Sequence, residues 1–369
     1  ANIKAGKPYV LRLRSQGSPD KEITFVDAIK GEIKLPENIH DIVLLKKDGI
    51  PTYHFAHAID DHLMRTTTVV RGGEWLASAP IHYELFHLLG FKMPAYAHTA
   101  HLMKFDEETG GKRKLSKRKD PELSLDYYRK DGYHPYTMKV YLLTLLNSNF
   151  EEWHEKFPDK DINEFPFSVE KMNQSGALFD KDKLHNICKN ELSKLSEEEL
   201  YDFLYDWAKE NEPENVEKWF GDREKMLQIL RLYMGVGAKR RRKDLMYAKQ
   251  IFELISYFFD GESAEEMDEF KLDEDMVSKI LKSYLAKYDH NDDNSVWFNK
   301  LKEIADEHGF ASDMKAYKAN PENFKGNVSD IAEAVRIAVT GRANTPDLWT
   351  IVHIMGEEQM TERIKKHIK

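Results

Sequence analysis

The residues best suited to chemistry lie in a short basic loop from Gly110 to Arg118, which reads Gly-Gly-Lys-Arg-Lys-Leu-Ser-Lys-Arg. The two glycines give the backbone freedom, and ammonium and guanidinium groups surround a single serine. A flexible cationic loop of this kind suits triphosphate oxygens. Taken alone, the same segment could equally be a solvated charged loop, or a target of phosphorylation or proteolysis, so the rest of the sequence must decide.

A second basic segment follows Gly235-Val236-Gly237 and precedes a predicted helix. Such a run suits contacts to RNA phosphates, which position a nucleic acid without reading its bases. A nuclear-targeting-like signal and a merely solvated run are the alternatives. The formal net charge of −9 argues against a dedicated nucleic-acid coat, but it conceals these local basic clusters. The members of the run are Lys239, Arg240, Arg241, Arg242 and Lys243.

A histidine-rich segment raises the question of a metal site. His54 and His57 lie one helical turn apart, with His62, Asp60 and Asp61 nearby. No third ligand has a spacing that demands zinc, and the aspartates can cap or buttress a helix instead. The sequence therefore predicts no protein-bound metal.

Length and composition describe the protein that holds these segments. The 369 residues indicate two to three domains, and 41% hydrophobic with 32% charged residues suits a helix-rich chain with much solvated surface. The single cysteine, Cys188, excludes an internal disulfide and a multi-cysteine zinc cluster, which favours a reducing compartment and hence the cytoplasm. No apolar run approaches the roughly 18–20 residues that cross a bilayer, so we expect no membrane partner.

The first part of the chain, from residue 7 to about 103, alternates short apolar runs with helical patterns. This alternation predicts βαβ units on a mostly parallel sheet, with ligands beyond the carboxyl ends of the strands, near residues 71–73 and 101–104. The predicted helices are 53–64 and 75–89, the second ending at Gly90. The predicted strands are 9–13, 39–45, 67–70 and 96–103.

After residue 120 the strand patterns fade, and apolar residues recur at helical spacing. Ser196 with Glu199 predicts a capping box, and Asp330 with Glu333 predicts another helix start. The polar stretch 210–215 is the best domain boundary in this half of the chain, and short loops favour antiparallel packing. The predicted helices are 123–130, 135–146, 183–192, 196–209, 225–234, 245–259, 273–287, 295–307, 328–340 and 346–366.

Several motifs carry a resemblance to a known family. Residues 114–118, Lys-Leu-Ser-Lys-Arg, match the KMSKS-type loop of class I aminoacyl-tRNA synthetases. Upstream segments agree in order and spacing: Tyr-His-Phe-Ala at 53–56, Ile-Asp-Asp-His-Leu-Met at 59–64, and Val-Arg-Gly-Gly-Glu-Trp-Leu at 70–76 with Ser78 and Pro80. Downstream, the matches are Ser-Leu-Asp-Tyr-Tyr at 124–128 with Gly132, and Ala-Val-Arg-Ile-Ala-Val-Thr-Gly at 334–341 with Pro346. Together these segments resemble glutamyl-tRNA synthetases over nearly the whole chain.

The resemblance implies a fold and an activity. The implied fold is α/β followed by all-α: the second half of a class I nucleotide-binding, Rossmann-like catalytic domain, then helical stem-contact and helical anticodon-binding regions. The implied domains are 1–120, 121–212 and 213–369, in that order. The implied activity is ATP-dependent attachment of glutamate to tRNA through glutamyl-adenylate, with ATP and Mg²⁺ as cofactors, tRNA and glutamate as partners, and a monomer as the family state.

The resemblance also assigns an amino-acid pocket. Arg71 would offer a planar fork to a carboxylate, and Tyr53 a phenol beside it. His57 lies one turn after Tyr53, at a position where the family more often has an amide. Without the resemblance, Arg71 would be interpreted as a surface or salt-bridge arginine.

The implied ATP side faces this pocket. Lys114 and Lys117 would be the catalytic groups that hold the phosphates, and Lys117 would place positive charge where it develops as the amino-acid carboxylate attacks the α-phosphate. Trp75 would be core packing if the resemblance were ignored. The basic run 239–243 would contact tRNA. The complete set of ATP-binding positions is Glu74, Trp75, Leu102 through its backbone, Lys114, Ser116, Lys117 and Arg118.

Two family features are missing, of which the first is the opening arginine and serine segment that binds glutamate in the family. Class I synthetases carry a His-x-Gly-His segment that grips ATP phosphates, and none of the 15 histidines lies in that pattern. We therefore expect an N-terminally truncated synthetase that does not form glutamyl-adenylate unaided. The alternatives are a non-catalytic tRNA-binding fragment, a glutamine-charging relative and a base-modifying relative. Helices rather than β-barrels near the C-terminus count against the glutamine branch, and an anticodon-binding region counts against base modification.

Overall fold

The computed structural model describes residues 4–106, 108–259 and 267–369. The chain groups into unit 1, residues 1–124 and 138–181, and unit 2, residues 125–137 and 182–369. All strands of the described residues lie in unit 1, and unit 2 is built from helices. This arrangement agrees with the expected α/β fold followed by an all-α part. The functional division into 1–120, 121–212 and 213–369 stays a prediction.

The strands form three sheets. In the four-stranded sheet, of order β3-β2-β6-β5, the β2–β6 and β5–β6 pairs are parallel and the β2–β3 pair is antiparallel. The predicted mostly parallel sheet therefore has an antiparallel edge strand. The other sheets are the β1–β4 pair and the three strands β8-β7-β9. The strands are β1 (Leu11–Arg12), β2 (Glu22–Asp27), β3 (Gly31–Pro36), β4 (Val43–Leu45), β5 (Thr68–Gly72), β6 (Ala95–Thr99), β7 (Leu102–Phe105), β8 (Lys112–Lys114) and β9 (Ala177–Leu178).

The β2–β3 hairpin was not predicted from the sequence. In β2 the side chains of Ile23, Phe25 and Asp27 are buried, in alternation with exposed ones. The carboxylate of Asp27 accepts the backbone N–H groups of the next turn, and Gly31 has a φ of 77°, which glycine adopts without strain. No residue of β3 is buried, so its sequence has no strong apolar period.

Three of the predicted strands are wrong in extent or pairing. The strands predicted at 9–13 and 39–45 are shorter in the structure, where they are β1 and β4. These two strands pair with each other and not with the four-stranded sheet. Segment 96–103 is two strands, β6 and β7, in different sheets. The sequence did not show this break, because periodicity alone cannot show where the chain changes sheet. The prediction that strands end after residue 120 also missed β9.

The helices follow the predicted pattern closely in unit 2 and less closely in unit 1. The helix predicted at 75–89 starts at Ala79, after a 3₁₀ segment Gly73–Ser78, because Pro80 has no N–H and fits only the first turn. The α-helices are α1 (Tyr53–Leu63), α2 (Ala79–Leu88), α3 (Leu125–Asp131), α4 (Pro135–Leu146), α5 (Phe150–Lys156), α6 (Lys181–Leu192), α7 (Glu197–Asn211), α8 (Val216–Phe220), α9 (Arg223–Met234), α10 (Ala248–Ile255), α11 (Glu274–Lys287), α12 (Asn294–His308), α13 (Met314–Ala319), α14 (Val328–Thr340), α15 (Leu348–Met355) and α16 (Glu357–Lys365).

Two long predicted helices are interrupted. The segment 346–366 divides into α15 and α16 at Gly356, whose φ of 87° leaves the helical region. The segment 245–259 starts late, at Ala248, because the side chain of Gln250 bonds the backbone of Asp244 and Met246 and competes with helix formation. No helix among the described residues is both long and apolar enough to cross a membrane.

Helix caps show what the sequence could locate. The capping box of Ser196 and Glu199 is confirmed. The helix predicted at 328–340 is confirmed, but the cap predicted at Asp330 is wrong by one turn. Asn327 is the N-cap of α14, and Asp330 is its N3 partner, accepting the N–H of Asn327 at 2.7 Å. Val328, the first residue of the helix, is buried, which fixes this earlier start.

Replacing Asn327 with alanine should lower the free energy of unfolding by about 1 kcal/mol, because the first turn of α14 loses its side-chain acceptor. Chemical denaturation measures the difference. Ser329→Ala is the matched control, since that side chain is exposed in the same turn. Equal stability of the two variants would contradict the cap.

Each unit has its own core. In unit 1, small clusters flank the sheets, such as Phe25, Ala79 and Tyr96, or Leu13, Leu44, Ala58, Leu85 and Phe86. Unit 2 has one extended apolar cluster that runs from α6 to α16. The thinner core of unit 1 leaves room for buried polar groups, and these lie at the carboxyl end of β5 and β6.

Candidate functional site

Arg71 is the central residue of the site in unit 1. It lies near the end of β5, directly opposite His98 of the parallel neighbour β6. Its Nε donates to Nε2 of His98 at 2.9 Å, and its Nη2 donates to Nδ1 of His82 at 3.2 Å. A longer contact of 3.5 Å joins Nη2 to the carbonyl of Trp75. Arg71 therefore lies at the carboxyl end of β5, and ligand binding at this edge of the sheet stays a prediction.

Aromatic rings surround the same guanidinium. Its Cζ lies 4.8 Å from the ring centre of Tyr96 and 5.8 Å from that of Trp75, distances at which a cation is attracted to the ring face. The third nitrogen, Nη1, is buried and has no hydrogen-bond partner among the described residues. No carboxylate of the described chain lies within ion-pair distance of Arg71. A half-buried cation without an anion is poised for an acidic ligand.

Helix α1 brings the two other predicted pocket residues to this place. The rings of Tyr53 and Trp75 are 4.4 Å apart, and Tyr53 stacks parallel to His57 at 5.9 Å. Tyr53 is 49% exposed, so its phenol faces solvent at the mouth of the site. His57 is buried, and its two nitrogens already contact Asp61 and the hydroxyl of Tyr96. In this conformation neither nitrogen of His57 is free for a ligand. The roles of Tyr53, His57 and Arg71 in binding glutamate stay predictions.

Sequence reasoning missed three buried polar residues here. His82 and His98 are fully buried, and Asp27 is 2% exposed. Asp27 accepts from the backbone N–H of His98 at 3.0 Å and from its Nδ1 at 2.6 Å. An inward-facing acid in β2 and a histidine inside an apolar strand were the available sequence signals, but both depend on knowing the register of the sheet.

Burial keeps the histidines of the site neutral. Desolvation by burial is the main cause that lowers the pKa of His82 to about 2, and the positive charge of Arg71 lowers it further. Desolvation is also the first cause that lowers the pKa values of His54, His57 and His98. Because uncharged imidazoles add no positive charge, Arg71 is the dominant cation of this group.

The predicted phosphate loop is the β7–β8 hairpin and the turn that follows it. Arg113 of β8 donates twice to the carboxylate of Asp120, at 2.7 Å each, and Ser116 donates its backbone N–H to the same carboxylate at 2.7 Å. Lys104 of β7 lies 3.2 Å from Asp120. The Arg113 guanidinium is the main cause that holds the pKa of the Asp120 carboxyl far below its usual value. The carboxylate of Asp120 therefore bonds both to strand β8, through Arg113, and to the turn after it, through Ser116.

The lysines of the loop remain accessible. Lys114, Lys117 and Arg118 are exposed, and the side chains of Lys117 and Arg118 make no hydrogen bond or ion pair within the described residues. Nζ of Lys114 is 3.9 Å from Oε2 of Glu74, an atom that His101 also approaches, at 3.3 Å. Glu74 follows Arg71 by three residues, so this carboxylate joins the loop to the arginine segment.

The remaining predicted ATP positions lie around this contact. The carbonyl of Leu102 accepts the N–H of Leu115 at 2.9 Å, so this part of its backbone already holds the loop. Ser116 is half-buried beneath the exposed lysines, and its hydroxyl accepts the N–H of Arg118 at 3.3 Å. Binding of ATP to Glu74, Trp75 and these loop residues stays a prediction.

The second basic run lies in unit 2, after Gly235 ends α9 with a φ of 65°. Arg240 and Arg242 line a cavity of about 670 Å³, together with Arg231 and with Thr350 and His353 of α15. Arg242 pairs with Asp244, and Lys243 donates to Asn190 at 2.8 Å. The side chains of Lys239 and Arg240 have no such partner in the described part of the chain. We call this cavity, which three arginines and Asp347 line, the cationic groove. Arg240 is the lining arginine without an ion pair in the described residues, and Lys239 precedes it in the chain.

Two family models match the chain. The model described as class I tRNA synthetases (E and Q), catalytic domain, matches residues 1–186. The model described as an anticodon binding domain matches residues 199–368. The first match contains Arg71 and the lysine loop, and the second contains the cationic groove.

Individual relatives agree with these models. A glutamate–tRNA ligase of Acetivibrio thermocellus is 52% identical over 99% of this chain and 66% of the relative. A glutamate–tRNA ligase of Clostridium perfringens strain SM101 is 46% identical, with the same two coverages of 99% and 66%. A crystal structure of a glutamate tRNA ligase from Elizabethkingia meningosepticum in complex with its amino acid superposes with a TM-score of 0.71 at 25% identity, over 99% of this chain and 69% of that chain.

The chain spans about 66% of the length of these curated relatives. The similarity nevertheless extends over almost every residue of the present chain, through the α/β part and the helical part alike. The family resemblance found in the motifs is thereby confirmed: the chain belongs to the class I tRNA synthetases (E and Q).

Proposed function

We propose that this chain supplies the glutamate pocket and the lysine loop for ATP-dependent attachment of glutamate to tRNA through glutamyl-adenylate. The observation that supports it most strongly is Arg71, a half-buried cation with an unpaired Nη1 and no carboxylate partner among the described residues. A carboxylate of glutamate would fill that position and form a charge-assisted hydrogen bond.

The proposed reaction needs no covalent enzyme intermediate. An oxygen of the α-carboxylate of glutamate attacks the α-phosphorus of ATP, a new C–O–P bond forms, and pyrophosphate leaves with the electrons of the broken bond. A terminal hydroxyl of tRNA then attacks the carbonyl carbon and releases AMP. Negative charge grows on the phosphate oxygens in the first step, so preorganised cations accelerate it.

Lys114 and Lys117 would supply these cations. Their ammonium groups are exposed, while the backbone beneath them is fixed through Asp120. Mg²⁺ would reach the site on the triphosphate, which is its usual route into ATP-dependent enzymes. The cytoplasm, a monomeric state and the three regions 1–120, 121–212 and 213–369 belong to the same proposal.

Glutamate-dependent exchange of pyrophosphate into ATP tests the proposal. The complete enzyme, meaning a protein that carries this chain together with a His-x-Gly-His segment, should catalyse exchange with glutamate and tRNA present, and not with glutamine. The 369-residue chain alone should show none, because its sequence contains no such motif. Absence of exchange in the complete enzyme would contradict the proposal, and exchange by the chain alone would contradict the requirement for the motif.

The helical unit would hold tRNA through the cationic groove. The double variant Lys239→Ala/Arg240→Ala should weaken tRNA binding and lower the slope of log Kd against log salt by roughly one to two, since each phosphate contact adds about 0.7–0.9 to the slope. Filter binding over a salt series measures the change. Lys315→Ala/Lys318→Ala is the matched control, because it removes two exposed cations elsewhere in the same unit. Equal slopes for the two variants would reject the groove as the contact.

The groove also favours a second candidate, a tRNA-binding module without chemistry. It predicts salt-sensitive tRNA binding by the complete protein with no glutamate-dependent exchange. The unpaired Nη1 of Arg71 favours the first candidate, since a module that binds only tRNA has no use for a pocket suited to a small acid.

A further inference from the structure

A chain of hydrogen bonds runs through the buried part of unit 1 and contains Arg71 at its centre. It passes from Asp27 of β2 to His98 of β6, to Arg71 of β5, to His82 of α2 and to His54 of α1. The hydrogen bonds thus link five elements of the unit through one guanidinium. We call His82 and His98 the histidine bracket.

The direction of each bond on the His98 side follows from the donors. A guanidinium has only N–H donors, so Nε2 of His98, which receives Nε of Arg71, must be the unprotonated nitrogen. Its Nδ1 then carries the proton and donates to the carboxylate of Asp27 at 2.6 Å. Asp27 therefore selects the tautomer of His98 that can accept from Arg71.

The same logic fixes the His82 side with the nitrogens exchanged. Nδ1 of His82 faces Nη2 of Arg71 and must be unprotonated, so Nε2 carries the proton and donates to Nδ1 of His54 at 2.9 Å. The low pKa that burial gives His82 keeps this ring neutral. The two histidines thus present different ring nitrogens to Arg71, Nε2 from His98 and Nδ1 from His82.

Both acceptors lie on the Nε and Nη2 side of the guanidinium. With this side held, and with the Trp75 carbonyl near Nη2, the two hydrogens of Nη1 are those left without a partner in the described residues. The histidine bracket therefore leaves the Nη1 edge of the guanidinium as the edge that can bind a ligand. Fixing a side chain before the ligand arrives lowers the cost of binding.

We infer that His82 and His98 are positioning residues that turn the Nη1 edge of Arg71 toward the carboxylate of glutamate. The inference rests on the proposed function for the identity of the ligand, but the bracket itself can be tested without any ligand.

Asparagine and glutamine variants at the two positions make the test sharp. An asparagine amide lies near the place of a histidine Nδ1, and a glutamine amide near the place of Nε2, and either can turn its oxygen to accept. At position 98, Gln keeps an acceptor for Arg71 and Asn does not. At position 82, Asn keeps it and Gln does not. A merely structural role for these polar side chains gives no reason for this reversal.

The measurement is NMR of the 369-residue chain with ¹⁵N-labelled arginine, with the Arg71 Nε–H resonance identified by its absence in Arg71→Lys. We expect slow solvent exchange of this proton in the wild type, His98→Gln and His82→Asn, and faster exchange in His98→Asn and His82→Gln. Titration of the complete enzyme and its variants with glutamate should then give a Kd within about threefold of the wild type for the first pair, and about tenfold or more weaker for the second pair. Thermal melting identifies any variant that does not fold. In that case the Asn and Gln variants at the other position are compared instead.

Equal exchange rates in His98→Gln and His98→Asn, and in His82→Asn and His82→Gln, would overturn the bracket. If the exchange rates differ between the variants as expected but all variants bind glutamate with equal affinity, the bracket has no role in ligand binding. If glutamate leaves the Arg71 resonance of the complete enzyme unmoved, the proposed ligand is wrong, while the exchange rates still decide whether His82 and His98 hold Arg71.

Discussion

Replacing Arg71 with alanine should raise the KM for glutamate in the complete enzyme by about 10²–10³-fold, because a buried carboxylate would lose its charged partner. The KM for ATP should change little, since the guanidinium contacts His82, His98 and aromatic rings and not the loop lysines. Steady-state pyrophosphate exchange at varied glutamate and at varied ATP separates the two constants.

Arg71→Lys is the control for charge. Lysine keeps a cation but has no Nε–H and no planar fork, so it cannot satisfy His98 and His82 together. We expect it to lose at least about tenfold in glutamate KM, as one charged hydrogen bond is worth. An alanine variant that folds and keeps its glutamate KM would remove Arg71 from the pocket.

Replacing Lys117 with alanine should lower kcat for adenylate formation by about 10²–10³-fold, the usual loss when one preorganised group that stabilises developing charge is removed. The glutamate KM should be nearly constant, because Lys117 is exposed on the loop and has no contact with the described pocket. Single-turnover formation of glutamyl-adenylate in the complete enzyme measures the chemical step directly.

Lys119→Ala is the matched control for this prediction. Lys119 is an exposed lysine two residues further along the same loop, and its side chain has no partner within the described residues. Its removal subtracts the same charge from the loop, so a general electrostatic effect would lower kcat equally in both variants. We expect a loss of less than about threefold for Lys119→Ala, since its contribution would be only that of a screened surface charge.

The sequence predicted the parts of the fold that depend on local pattern. Helix α4, at Pro135–Leu146, and helix α14, at Val328–Thr340, have the predicted bounds, because apolar residues repeat over three turns or more. The β2–β3 hairpin was missed because β3 buries none of its side chains. The break between β6 and β7 was missed because the two strands are separated by only two residues without a turn signal.

In the candidate site too, the sequence predicted the residues that belong to local motifs and missed those that separate elements bring together. Tyr53, Arg71, Glu74 and Trp75 were found through motifs that are contiguous in the chain, and they lie together in unit 1. Asp27, His82 and His98 come from three separate elements, and their meeting depends on the parallel register of β6 with β2 and β5. No local sequence pattern encodes that register, so the sequence alone could not predict that these three residues lie together.

A crystal structure of the complete enzyme with glutamate and a non-hydrolysable ATP analogue tests the central claim most directly. The account predicts a carboxylate oxygen of glutamate about 2.7–3.2 Å from Nη1 of Arg71, with the triphosphate against Lys114 and Lys117. Glutamate bound elsewhere, with Nη1 still unpaired, would contradict it.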